Sequence, residues 1–570
     1  MSRKLTNKKD RAAATTVLAA ASRPPIVVKS GFRSFVTDEV EKILIQNAFK
    51  LRIFQRGGDL VRMIDLKADV NSGGLNVTDG VQLQVLTQTY LQTVLGRLID
   101  FKKMREDGKQ RSIDCPIDIA ADYLGRVGDW KLPRLTGFIE APIMRNDGTI
   151  LLRPGYDETT GLYLVGSEWP KIPDAPTRAD AEAALAELLA PFDQFPWVGE
   201  ADKSVFAAFL LTLIQRRLLR NAPLFVFDAP DIGMGKGLLV RCGSLIALGR
   251  NFGAHPVPPD KVEFHKELTT MLRGGGLLNS WDNLPEGQAF DSPALATALT
   301  EDPYRGRLLG MHEELCLRTN SVETLTGNNC LIKGDLPRRA VKCRIDAKRE
   351  KAFERTFKIP NLEAYVLENR TRLVGAVLTI LRAFEVVGRP KQELSKFGSF
   401  EDWSAKIREP LVWLGMADSY VTTANIIEED PARERSGDVV AAWYGAFGDT
   451  GMKIREIAAE FNALSLKPEL LALRERLLSV ASDYKDRERF DRDRFGNWCR
   501  DNKGKVFNGL VLRRGGGKTN AGIWYVERTD ELVAAEAVAS ALRSLFPRRL
   551  RVIKGGNTDP PESRKKKFGR

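Results

Sequence analysis

Histidine and cysteine are scarce in this chain. Three histidines (His255, His265, His312) among 570 residues leave little material for a His-ligated metal or a Ser/His/Asp triad. The six cysteines stand singly at 115, 242, 316, 330, 343 and 499; with no CxxC pair there is no zinc knuckle or redox couple, and reduced, structural thiols are expected. Long apolar runs are missing too. Phe206–Ile214 is among the longest, far short of the ~20 residues that span a bilayer, and Met1–Arg11 does not open like a secretory leader. A cytoplasmic protein with no membrane partner is expected.

What is present is an ordinary globular mix, 43% hydrophobic and 28% charged, so the chain should fold, and its length suggests three to four domains. The net charge of +13 is concentrated at the ends. Residues 1–34 carry eight Lys/Arg against Asp10 alone, and residues 541–570 carry ten against Asp559 and Glu562. A nearly neutral body with two cationic arms suits a polyanionic partner held by counterion release; a solubilising role is the competing reading.

Patterning places a helix at Glu39–Phe49, a hairpin of Leu51–Phe54 and Leu60–Ile64 about Gly57–Gly58, and one long amphipathic helix over Val81–Met104. A shorter helix follows at Ile117–Val127. Short strands are expected around 137–165, broken by the turns Asn146–Gly148 and Pro154–Asp157. The expected organisation is a basic arm (1–34), an α+β accessory domain (35–166), a Pro-rich linker (167–178), an α/β core with a helical lid (179–390), a helical region (391–480), a helix-plus-hairpin domain (481–554) and a basic tail (555–570).

The most informative segment is Leu224–Leu239, LFVFDAPDIGMGKGLL. It reads as a buried strand, a glycine turn, then a helix opening at a lysine. Main-chain amides of Pro230-Asp231-Ile232-Gly233-Met234-Gly235 and of the helix start Lys236-Gly237-Leu238 would surround a phosphate, with Pro230 itself offering no N–H. The helix dipole and Lys236 would add positive potential. Two positions depart from GxxxxGK[ST]: Pro230 replaces the first glycine, and Gly237 replaces the hydroxyl that ligates Mg²⁺. Asp282, closing the strand-like Gly274–Asn283, is the candidate Mg²⁺ carboxylate. Its neighbour Asn283 can orient water but cannot accept a proton, so Asp228, Glu286 or Glu301 would have to assist, or turnover is slow. Further on, Glu323–Arg339 (ETLTGNNCLIKGDLPRR) supplies amides at Asn328 and Asn329, expected on a strand between the loop and the carboxylate, and a pair of arginines, Arg338 and Arg339, that could neutralise a transferring phosphoryl.

GMGKG, WDN, TGNN and GDLPRR in this order resemble the AAA+ ATPase core of helicase-like replication proteins of phages and bacterial mobile elements, related to MCM and superfamily 3 helicases. FQRGGDLVR (54–62), GTILLRPGYDETTGLYL (148–164) and NRTRLVGAVLTILRAF (369–384) extend the likeness over roughly 50–480. The resemblance implies that Gly233, Gly235 and Lys236 form Walker A, Asp282 Walker B, Asn328 or Asn329 sensor 1, Arg338 or Arg339 the arginine finger, and Arg370 or Arg372 sensor 2. It further implies ATP and Mg²⁺ as cofactors, a homo-oligomeric and commonly hexameric ring, DNA as single strand or origin duplex, and a bacterial host cytoplasm. A non-catalytic, nucleotide-gated DNA-binding assembly factor is the alternative. Helix 492–500 followed by strands at Val506–Arg514 and Ile523–Glu527 has the order of a winged helix, with Trp498, Arg500, Lys503, Lys505, Arg513, Arg514 and Lys518 as candidate DNA contacts.

Overall fold

The computed structural model describes residues 23–66, 80–166, 169–307, 314–349, 354–428, 430–461, 468–484, 486–515, 522–530 and 532. Lys518, both basic ends beyond these limits, and the tail at 555–570 lie outside the described residues. Two compact units, Met1–Ile427 and Glu428–Arg570, divide the chain inside the helical region expected at 391–480.

The first unit begins with β1 (Pro25–Val28), α1 (Arg33–Leu51), β2 (Ile53–Arg56), β3 (Asp59–Leu66), β4 (Gly80–Val85), α2 (Gln88–Leu98), β5 (Asp100–Met104), β6 (Gln110–Ile113) and α3 (Ile117–Gly125). Two three-stranded sheets, ordered β2-β3-β4 and β1-β5-β6, result. The single helix expected at Val81–Met104 is thus strand, helix, strand. Val81, Leu83 and Val85 alternate along β4 and pair with β3, and the Thr87 hydroxyl accepts from the Tyr90 N–H to start α2 three residues after Val85, as an N-cap does. The core under α1 and α2 comprises Val40, Leu44, Leu91, Leu95, Phe101 and Tyr123, all wholly buried. The short strands β7 (Gly137–Ile139), β8 (Ile143–Met144), β9 (Ile150–Leu151), β10 (Gly155–Asp157) and β11 (Leu162–Leu164) follow; the chain turns at Gly148 as expected, whereas three of the four residues of the turn expected at Pro154–Asp157 form β10, and the reversal falls at Glu158–Gly161, where antiparallel pairing of β10 with β11 puts it.

Next come α4 (Arg178–Leu189), α5 (Glu200–Gln215), β12 (Leu224–Ala229), α6 (Lys236–Leu248), β13 (Ala254–Pro256), α7 (Lys261–Gly274), β14 (Leu278–Leu284), β15 (Ala289–Phe290) and α8 (Pro293–Thr300). The hairpin β16 (Tyr304–Arg307) and β17 (Glu314–Leu317) leads to β18 (Val322–Asn328), β19 (Leu331–Ile332), β20 (Ala340–Arg344), α9 (Leu362–Glu368) and α10 (Arg370–Val386). Five strands form a parallel sheet in the order β13-β14-β18-β12-β20. The strands β14, β18, β12 and β20 are buried almost throughout, the edge strand β13 is not, and β12 is the apolar run such a sheet requires.

The polar start of β14 has a partner in the next strand. Asn279 Nδ2 donates to Glu323 Oε1 at 2.7 Å, Ser321 Oγ donates to the same oxygen at 2.7 Å, and Trp281 Nε1 reaches Oε2 at 3.3 Å. Burial pushes the Glu323 carboxyl above its ordinary range against the pull of these donors.

The second unit holds α11 (Pro431–Phe447), β21 (Met452–Lys453), α12 (Ile454–Phe461), α13 (Pro468–Ala481), α14 (Arg492–Asn502), β22 (Val506–Phe507), β23 (Leu510–Gly515) and β24 (Ile523–Arg528). The sheet β21-β24-β23-β22 packs on helices around Trp443, Ile457, Phe495 and Leu512. Among the described residues no helix is long and apolar enough to cross a membrane.

Candidate nucleotide site

Ligands of open parallel sheets sit beyond the carboxyl ends of the strands, and here those ends gather the sequence candidates. β12 breaks at Ala229 into the loop Pro230–Gly235, where Gly233 (φ +73°) and Gly235 (φ +103°) take conformations that side chains rarely adopt. Space adds a second constraint at Gly235: a Cβ would stand 3.0 Å from Cε1 of Phe195. The loop turns directly into α6, so Gly233–Leu238 supplies free N–H groups at a helix start.

Lys236, the first residue of α6, is half-buried. Its Nζ donates to the Asp231 carbonyl at 3.0 Å and to Asn328 Oδ1 at 2.5 Å. Burial lowers its ammonium pKa, opposed by the fields of Cys330, Asp228, Asp231 and Asp282. Asn328 ends β18, the strand between β12 and β14, which is where the sequence argument places it. Asn329, in left-handed backbone at φ +47°, donates through Nδ2 to the Pro230 carbonyl at 3.3 Å and accepts from Arg344 Nη2 at 2.9 Å.

Asp282 stands near the end of β14, where the register with β18 shifts between Trp281 and Leu284. The Thr326 hydroxyl of β18 donates to Asp282 Oδ1 and accepts from the Asn283 N–H at 3.3 Å. Asn283, at φ +58°, is exposed. Of the three assisting carboxylates considered, Asp228 is engaged: wholly buried, it accepts from the guanidinium of Arg344 and from the Cys330 N–H at 2.9 Å. Glu286 and Glu301 are exposed.

No cluster of three or more metal-ligating side chains occurs among the described residues. The donors here fit Mg²⁺ in its usual manner, one carboxylate beside phosphate oxygens and waters, since Asp282 Oδ2 accepts from no described protein group. The helix position after Lys236 offers no hydroxyl. A Cβ at Gly237 would meet Arg241 Nη1 at 3.3 Å, a flexible end paired with Glu363 at 2.7 Å.

The arginines separate by environment. Arg338 keeps 57% of its side chain exposed and pairs with Asp335. Arg339, 13% exposed, is consumed within the chain by the Ala296 carbonyl and Asp335. Arg370 is placed far from the loop. It donates to the carbonyls of Ile246, Ala247 and Glu140, at the opposite end of the thirteen-residue α6, about 20 Å away; Arg372 pairs with Glu187 on the exposed face of α4. The sensor 2 expectation therefore has no support at either position.

Sequence reasoning did not single out Phe195, Thr326 or Arg344. Phe195 carries no motif, Thr326 lies inside the TGNN motif without a role assigned to it, and Arg344 is one basic residue among many.

In the second unit, Trp498 stacks on Phe495 at 5.6 Å and donates to Ser436 Oγ at 3.3 Å, so its ring is largely spent on packing. Arg500, Lys503, Lys505, Arg513 and Arg514 are exposed; Arg513 pairs with Glu527 at 2.6 Å, and Arg514 lies over Trp524.

No protein-family model and no curated protein matches the chain. Among solved structures it is similar to the apo C-terminal region of NrS-1, at 12% identity and TM-score 0.37 over 86% of this chain and 99% of that one. It is also similar to the active helicase Cch of SCCmec type IV, at 11% identity and TM-score 0.29 over 83% and 91%. A third likeness is to JCV helicase, at 13% identity and TM-score 0.19 over 44% and 73%. At TM-scores this low the site is assigned by its own geometry.

Proposed function

We propose that the chain is an ATP-dependent DNA helicase or replication initiator of a bacterial mobile element, with an AAA+ core that turns over ATP between subunits. One observation carries the reading. A glycine loop at the start of α6, the Lys236 ammonium, the Asn328 amide and the Asp282 carboxylate converge at the carboxyl edge of one parallel sheet, in the strand order β14-β18-β12.

Loop amides and the helix dipole hold the phosphates, and Lys236 exchanges its contact with Asn328 for one with phosphate oxygen. Asp282, in an orientation set by Thr326, would hold Mg²⁺, which would supply charge to offset that of the phosphates, and Asn328 or Asn329 positions the attacking water. Arg338, exposed and remote from strong burial, is the better arginine for a neighbouring subunit's nucleotide. Helices followed by the β23–β24 hairpin support reading the second unit as a winged-helix-like DNA-binding domain.

Radiolabelled ATP turnover, measured with Mg²⁺ and with or without single-stranded DNA, tests the proposal. Wild-type protein should turn ATP over, faster with DNA, and Lys236→Ala should abolish it. The missing hydroxyl at Gly237 and the missing acid at Asn283 favour the assembly-factor reading; wild-type protein that binds ATP and oligomerises without turnover would establish that one instead.

A further inference from the structure

The hairpin β5–β6 leaves the accessory fold as a two-stranded ribbon. Its root is core: Phe101 is wholly buried and its partner Ile113 half-buried. Beyond that rung, every residue from Lys103 to Ser112 is exposed. Side chains two apart on a strand share a face, as do cross-strand partners. Lys103 lies directly opposite Arg111. The next rung but one sets Arg105 opposite Lys109, closed by Arg105 N–H to the Lys109 carbonyl at 2.9 Å.

One face of the ribbon thus carries four cations in two like-charged pairs, the rungs about 7 Å apart. No hydrogen bond, ion pair or ring contact engages these four side chains among the described residues. The only acidic groups in the projecting hairpin are Glu106 and Asp107, both in the turn, and the Asp107 carboxylate accepts from the Lys109 N–H at 3.0 Å.

Like charges placed directly opposite destabilise a hairpin, so this arrangement acquires a rationale when an anion covers it. We infer that the β5–β6 ribbon is a docking surface for the phosphate backbone of DNA, gripped by Lys103, Arg105, Lys109 and Arg111 without regard to sequence. A lipid surface fits less well, because membrane-binding elements pair cations with an exposed apolar face, and the apolar side chain exposed here, Met104, lies on the opposite face of the ribbon. A two-stranded ribbon also has the width to enter a major groove. The inference is independent of the nucleotide site and needs no ATP turnover.

The test is fluorescence anisotropy of labelled duplex and single-stranded DNA against full-length protein between 50 and 200 mM salt. The variant K103Q/R105Q/K109Q/R111Q should bind more weakly, and the slope of log K against log salt should become shallower by about 2 to 4, each lost contact being worth about 0.9 on duplex and 0.7 on single strands. ATP turnover without DNA should be unchanged. K103E guards against a folding artefact: it places opposite charges across one rung, which favours the hairpin, and it should still make the slope shallower. Slopes equal to wild type in both variants would overturn the inference. So would retained DNA binding together with a loss of binding to phosphatidylserine vesicles, which would assign the ribbon to membranes.

Discussion

At the scale of single residues, the candidate site depends on atoms whose replacement separates binding from chemistry. Gly235→Ala meets both an unfavourable φ and the Phe195 ring, so nucleotide binding should fall steeply in calorimetric titration while the thermal midpoint shifts little, the loop being at the surface. Thr326→Val keeps the shape of a buried position but removes the hydroxyl that bridges Asp282 and the Asn283 N–H. It should lower Mg²⁺-dependent kcat and leave the affinity for Mg²⁺-free ATP near wild type; an equal loss in both would make Thr326 a structural residue only. Gly237→Ser tests the opposite change. The clash is with the mobile end of Arg241, so the hydroxyl should be accommodated and turnover should rise if its absence limits the metal step.

Among the elements, legibility in the sequence followed the strength of the local signal. The glycine loop, β12, α6 with its stop at Gly249, and the Asn328 strand were readable because buried apolar strands, glycines of positive φ and a helix-opening lysine each leave a local trace. Asp282 was readable as a strand end. The polar Asn279 inside that buried strand is explained by the Glu323 carboxylate on β18, forty-four residues along, and a cross-strand polar network leaves no local trace. The region 81–104 failed for a similar reason: its apolar positions satisfy a helical period across β4 and β5, and only pairing with β3 and β1 decides for strands. The basic ribbon was hidden by that misreading.

Arg344 is another long-range feature, since it joins β20 to buried Asp228 on β12 and to Asn329 beside the loop. Arg344→Ala leaves Asp228 buried without its countercharge and should cost about 3 kcal/mol of stability, read by denaturant unfolding; adding Asp228→Asn should recover part of it. The Glu323 carboxyl predicts a pH effect. Its folded pKa is raised, so the folded state holds the proton longer than the unfolded state, and this contribution to stability declines as pH rises from about 4.3 through the folded value. Against Glu323→Gln, wild type should lose relative stability across that window.

For the whole molecule, the decisive question is whether one subunit completes its neighbour's site. Among the described residues the Arg338 side chain is bonded only to Asp335, at the surface, whereas Lys236 faces the strand ends of its own sheet. In a head-to-tail ring each interface joins the loop of one subunit to the opposite face of the next. Lys236→Ala and Arg338→Ala should each inactivate turnover, yet an equal mixture allowed to exchange subunits should regain activity, because about one interface in four pairs an intact loop with an intact arginine. Activity that stays at the level of the separate variants, in a mixture shown to form hybrid oligomers, would place Arg338 outside the site and leave the nucleotide answered within a single subunit. Arg339→Ala is the control. Tied to the Ala296 carbonyl and Asp335, it should lower stability, and mixing with Lys236→Ala should restore no turnover beyond what its own loss of fold accounts for.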